Sequence, residues 1–168
     1  MKKKILILGS KGQLGSYIKK KLFDSKFSTL GLNCINGNLL NEKLIENIFL
    51  KYNPHIVINT AAITNVDDCE IKKKETYKVN ANSLKFLSKC CLKNDSLLIH
   101  FSTDYIFSSK KIYSFSEKNS AKPINYYGKS KLIELLLKTL GDYHCDLPSS
   151  ILQNKRSDAE GANPMLLS

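Results

Sequence analysis

Arginine is nearly missing from this chain. Arg156 stands alone among 26 basic residues, and arginine is the usual bidentate reader of guanine edges. The lysines fall in short scattered runs, Lys2–Lys4, Lys19–Lys21 and Lys72–Lys74. The formal net charge of +11 therefore reads as solvated faces and not as a dedicated nucleic-acid site. Such a field can still attract a phosphorylated ligand. No long apolar run is present, which argues against a transmembrane helix. The apolar stretch behind the N-terminal lysines, Ile5 to Leu8, is too short for a signal peptide and runs straight into a glycine loop. The five cysteines form no C-x-x-C pair; they are expected to be reduced thiols, partly in the core, of a cytoplasmic protein. His55, His100 and His144 stand apart without metal-ligand spacing, so no metal is expected.

What is present suits one domain. The chain has 168 residues, 42% of them hydrophobic, enough for a real core. KKKILILGS is a short apolar run ending at glycine, the pattern of a buried parallel strand. A turn is expected over Gly9 to Gly15, then a helix to about Phe23. A second strand is expected over 27–32. Apolar residues at 44, 45, 48 and 49 predict a helix over 41–52, with Pro54 as its stop signal. HIVINTAA is the next strand, 76–93 a helix, and SLLIHFS (96–102) a further strand. A long polar loop is expected over 104–123 and a helix over 125–140. Strands alternate with helices throughout, which predicts an α/β fold with a doubly wound, mostly parallel sheet.

Three stretches carry chemistry. GSKGQLG places Gly9, Gly12 and Gly15 between a strand and a helix. That is the setting of a dinucleotide fingerprint, where glycine lets the backbone approach a pyrophosphate and the helix N-terminus supplies free N–H groups. No acid follows the second strand to bond a ribose 2′-hydroxyl. Asn33, Asn36 and Asn38 occupy the region, and the next acid is Glu42. Loss of the carboxylate makes NADPH permissible, although neutral amides can also bond a diol. In NTAAITNVDDCE, small Ala61 and Ala62 sit at a strand exit, where ligands of open parallel sheets bind; a plain strand exit reads as well.

The third stretch joins STDYIF (102–107) to NYYGKSK (125–131). Tyr127 and Lys131 have i, i+4 spacing and share a helix face, whereas Tyr126 aligns with Ser130 and points elsewhere. An ammonium beside a phenol lowers the cost of releasing the phenolic proton. Thr103 offers a hydroxyl to a carbonyl oxygen; Asp104 either bonds a sugar hydroxyl or merely forms a turn. Hydroxyl, phenol and ammonium in one cleft suit carbonyl reduction by hydride from nicotinamide C4.

GSKGQLG, NTAAITNVDDCE, VNANSL (79–84), FSTDYIF and NYYGKSKL occur in the order found in one family. The chain resembles the extended short-chain dehydrogenase/reductases, and among them the dTDP-4-dehydrorhamnose reductases of dTDP-L-rhamnose synthesis. The resemblance covers about residues 1–141. It implies a Rossmann-type domain, NADPH or NADH as cofactor, and a 4-keto nucleotide-sugar as substrate. It implies Tyr127, Lys131 and Thr103 as catalytic residues. It implies Gly9, Lys11, Gly12, Gln13, Leu14 and Gly15 at the pyrophosphate and Asn38 and Leu39 at the adenosine half. Ala62, Ile63, Thr64 and Asn80 fall toward the nicotinamide, with Val66, Thr103 and Asp104 toward the sugar. Asparagine at 38 departs from the family's aspartate, and Ile133-Glu134 stands where a glycine-glutamate pair is usual.

A larger departure follows the last helix. From about Asp142 the chain loses its lysine-rich character, and 142–168 is expected to be a poorly ordered tail. The family's sixth strand and substrate domain are expected to be missing, as in a product truncated by a frameshift near His144 to Cys145. Reduction of a nucleotide-sugar therefore stands beside two alternatives: a non-catalytic NAD(P)-binding or regulatory module, like the regulatory β subunit of methionine adenosyltransferase in the same family, and an inactive fragment. A homo-oligomer is compatible with all three, and neither nucleic acid nor membrane is an expected partner.

Overall fold

A computed structural model describes residues 2–107 and 120–139. The expected tail, with His144, Cys145 and Arg156, lies outside the described residues, as does the middle of the expected polar loop.

Strand β1 (Lys4–Leu8) is the centre of the molecule. Its neighbours are β2 (Ser28–Leu32) on one side and β3 (Ile56–Asn59) on the other, with β4 (Leu97–His100) beyond β3. Every pairing is parallel. A strand covered on both faces has to be apolar along its buried length, and β1 meets that demand from Ile5 to Leu8 by sending alternate residues to opposite layers. Leu6 and Leu8 join Ile45, Phe49, Leu84, Leu87 and Cys91 on one face. Ile5 and Ile7 join Ile58 on the other, with Ile18, Leu22 and Phe27 packed against them.

Helix α1 (Gln13–Lys21) follows β1, and α2 (Glu42–Tyr52) follows β2. Asn41 caps α2 by accepting the Leu44 N–H at 3.1 Å, and Asn53 ends it in the left-handed region at φ 48°. The Tyr52 hydroxyl then donates to the Ser28 carbonyl at 2.7 Å, closing α2 onto β2. Helix α1 begins at Gln13, inside the stretch expected to be a turn, because glycines at 9 and 12 let the loop reverse within a few residues.

The expected helix over 76–93 is a longer composite. Helices α3 (Val66–Ile71) and α4 (Lys73–Tyr77) precede a π-helical turn over Lys78–Asn82, and α5 (Ser83–Lys93) follows. Helix α3 has a local signal: the Asn65 side chain accepts the Asp68 N–H at 3.0 Å, and Asp67 and Asp68 lie in its first turn. A 3-10 turn spans Asp104–Ile106, and α6 spans Tyr126–Thr139. No described helix is long and apolar enough to cross a membrane. Cys69, Cys90 and Cys91 are buried, and Cys34 is exposed. Burial raises the first two thiols, and burial beside Cys90 pushes Cys91 up to about 12, so these groups stay protonated at neutral pH.

Candidate active site

The strand order reverses direction at β1, since β2 lies to one side and β3 to the other. Ligands of open α/β sheets bind beyond the carboxyl ends of the strands at such a point. The glycine loop stands there. Gly9 has φ +78°, and a Cβ on it would lie 2.7 Å from the Ala61 nitrogen and 2.8 Å from Thr60 Oγ1. A Cβ on Gly15 would meet Thr60 Oγ1 at 2.7 Å and the Gly9 carbonyl. Thr60 is the post against which the loop closes: its hydroxyl donates to the Leu8 carbonyl at 2.7 Å. Within the loop, the Gly12 N–H donates to the Gly9 carbonyl at 2.9 Å.

No side chain caps α1. Its first-turn N–H groups face the end of the sheet with a partial positive charge, and Lys11, Gln13 and Leu14 are exposed beside them. At Gly12 a Cβ would find only the Gly9 carbonyl, at 3.3 Å, so the outer side of the loop is open. Donors, positive end and open backbone fit a pyrophosphate.

Asn38 and Leu39 follow β2 and differ in placement. Leu39 is buried in the core with Leu32 and Ile45. Asn38 is exposed, and its side chain accepts the Leu40 N–H at 3.0 Å.

Ala62 and Ile63 are half-buried after β3, and Thr64 is exposed. Asn80, inside the π-helical turn and 2% exposed, holds this segment from beneath. Its Oδ1 accepts the Ile63 N–H at 2.9 Å, and its Nδ2 donates to the Ile63 carbonyl and to Ser130 Oγ, both at 3.0 Å. Asn80 therefore reaches the site through the Ile63 backbone and α6. Val66 is half-buried at the start of α3.

Helix α6 carries the pair expected from its spacing. Tyr127 is 9% exposed and Lys131 2% exposed. A buried ammonium needs partners; Lys131 Nζ donates to the Phe101 carbonyl at 2.8 Å and lies 3.0 Å from His100 Nε2. Tyr127 meets Tyr105 edge to face at 5.6 Å. Tyr126 points away, under Lys73 Nζ at 5.7 Å, as its spacing requires. Thr103 caps the 3-10 turn: its oxygen accepts the Tyr105 N–H at 3.3 Å, and its hydroxyl donates to Asp104 Oδ1 at 3.1 Å. The exposed Asp104 carboxylate thus takes part in the turn.

Four supports were not singled out from the sequence. Glu70 Oε1 accepts the Tyr126 N–H at 2.5 Å and fixes the first residue of α6. Gly128 lets α6 lie on the 3-10 turn, because a Cβ there would strike the Tyr105 carbonyl and come within 2.9 Å of Pro123. His100 and Ser130 complete the set. Gly128 is visible in the sequence as a glycine inside a helical stretch, but its contact with Tyr105 is not; the others act across 56, 31 and 50 residues.

The sequence family described as the RmlD substrate binding domain matches residues 2–138. Among curated proteins, the dTDP-4-dehydrorhamnose reductase of Aggregatibacter actinomycetemcomitans is 34% identical over 139 residues, covering 82% of this chain and 47% of the relative. Among solved structures, the dTDP-4-dehydrorhamnose reductase of Clostridium acetobutylicum has a TM-score of 0.80 at 32% identity, covering 86% of this chain and 52% of that one. The Bacillus anthracis reductase, solved in complex with NADP, has a TM-score of 0.81 at 27% identity, with coverages of 88% and 53%. The chain spans about half the length of the curated relatives it matches.

Proposed function

The chain belongs to the family described as the RmlD substrate binding domain, and from that premise we propose that it serves NAD(P)H-dependent reduction of a 4-keto nucleotide-sugar, the dTDP-4-dehydrorhamnose reductase reaction. The observation that carries the reading is the buried Lys131 ammonium. It is fixed between His100 and the Phe101 carbonyl on the same helix face as Tyr127, at the same edge of the sheet as the open glycine loop.

In this reading Gly9, Lys11, Gly12, Gln13, Leu14 and Gly15 hold the pyrophosphate, and Asn38 and Leu39 border the adenosine half. Ala62, Ile63 and Thr64 flank the nicotinamide, with Asn80 fixing Ile63. When bound, reduced nicotinamide supplies the hydride that adds to the carbonyl carbon. Tyr127 gives its phenolic proton to the carbonyl oxygen as the C=O π bond breaks, so ketone becomes alcohol. Lys131 holds the ribose and stabilises the phenolate left behind. Thr103 donates to the same oxygen, for which its hydroxyl turns from Asp104. Val66 and Asp104 border the sugar.

The test is oxidation of NADPH and NADH by the full chain with dTDP-4-dehydrorhamnose. Turnover that Tyr127→Phe abolishes while dinucleotide binding persists supports the reading. Dinucleotide binding without turnover favours the second reading, a non-catalytic binding module.

A further inference from the structure

His100 is the last residue of β4, and side chains alternate along a strand. It therefore lies on the face of Leu98, which joins the core with Leu87 and Cys91 of α5. The residue is 5% exposed, and its Nε2 lies 3.0 Å from the Nζ of Lys131. An ammonium has three hydrogens to donate and no lone pair. At that distance Nε2 has to be the acceptor. The imidazole beside a charged Lys131 is therefore neutral and carries its hydrogen on Nδ1.

Two acceptors of Lys131 differ in kind. The Phe101 carbonyl, at 2.8 Å, accepts at any pH. The imidazole accepts only while Nε2 keeps its lone pair; a proton there sets two cations 3.0 Å apart in a buried place. Together the two bonds aim the ammonium. With Cε and two hydrogens directed, tetrahedral geometry fixes the third hydrogen, the one the reduction reading assigns to the ribose.

The surroundings of the ring add little charge of their own. Strand β3 places Asn59 opposite His100 and carries no titratable residue. Helix α5 buries the thiols of Cys90 and Cys91 and exposes Lys85, Lys89 and Lys93. Helix α6 buries Tyr127 and Lys131 and exposes Lys129.

We infer that His100 is a positioning residue of the Tyr127–Lys131 pair, whose neutral imidazole aims the Lys131 ammonium and whose protonation in acid releases it. This rests on the reduction reading above.

Proton–nitrogen NMR of the histidine rings in the full chain tests the contact without turnover. His55 is the internal contrast: its Nδ1 accepts the Lys4 N–H at 3.1 Å, so its hydrogen belongs on Nε2. At neutral pH His100 is expected to carry its hydrogen on Nδ1 instead, and Lys131→Met should shift its Nε2 resonance. A hydrogen on Nε2 of His100 overturns the inference and leaves the reduction reading standing. Turnover tests the role. His100→Leu should lower kcat about 100-fold with KM for the sugar nearly unchanged, the cost of a misaimed group. His100→Gln keeps an acceptor oxygen that does not titrate; it should recover most of kcat and lose the decline of the unaltered chain in acid. A Gln variant no better than the Leu variant, or one with the same acid decline, overturns the inference. Thermal midpoints report that each variant folds. An unaltered chain without turnover refutes the reduction reading alone, and the ring hydrogen still decides whether His100 holds Lys131.

Discussion

At the end of β1 the backbone of Gly9 and Gly15 closes on Thr60 with no room for a side chain. At the start of α6, by contrast, the chain is held by side chains that come from far along the sequence: Glu70, Asn80 and His100. The loop is shaped by the atoms it leaves out, and the helix by the polar bonds it gains. Steric closure involves no charge, so it is insensitive to pH and salt, but it tolerates no added carbon. Polar tethering tolerates replacement by any side chain that keeps the right donor or acceptor. The loop proposed to cradle a dinucleotide and the helix proposed to carry proton transfer thus share one sheet edge under different rules.

The contrast breaks first at Gly15. Gly15→Ala puts a methyl 2.7 Å from Thr60 Oγ1 and against the Gly9 carbonyl. Destabilisation on the order of 3 kcal/mol is expected in urea unfolding, typical of overpacking, with loss of the thermal shift produced by dinucleotide. A variant that still responds to dinucleotide would show that the loop is not sterically forced.

Asn80→Ala comes next, at about 2 kcal/mol. It takes the side-chain acceptor from the Ile63 N–H, leaves the Ile63 carbonyl only the Cys69 thiol at 3.6 Å, and breaks the bond to Ser130. Urea unfolding together with hydrogen exchange at the Ile63 amide checks it. Unchanged protection at Ile63 would assign that order to some other contact.

The smallest effect, about 1 kcal/mol or less, is expected for Glu70→Ala. Glu70 is exposed, and its ion pair with Lys73, at 3.6 Å with both side chains about half exposed, adds little. The informative comparison is Glu70→Gln, which keeps an oxygen for the Tyr126 N–H and should recover most of the loss. If Gln and Ala prove equal, charge at the helix N-terminus and not the hydrogen bond secures α6.

The two regions also differ in how far their chemistry could be read in advance. The glycine loop is a local requirement, written in seven residues between a strand and a helix, and the fold delivers it there. The Tyr127–Lys131 pair follows from helical spacing alone. The parallel sheet follows from apolar runs alternating with helical periods. The tethers of α6 were illegible because each joins residues that only the folded sheet brings together. The π-helical turn over Lys78–Asn82 leaves no mark in apolar periodicity, so the segment from 66 to 93 looked like one later helix. Asn38 itself was visible, but the direction of its amide, with the oxygen turned to the Leu40 N–H, was not.

Asn80 divides the two hydrogens of one amide between the Ile63 carbonyl and Ser130. Because the amide is planar, the angle between those two bonds is set by covalent geometry and not by the surroundings. The group works as a rigid bracket screwed to two walls. Loop 62–64 and helix α6 can move together, but neither can swing relative to the other without shearing one of its fixings. The spacing of these two walls, between which the proposed reading places the nicotinamide and the sugar, is in this way tied to one side chain that lies behind them.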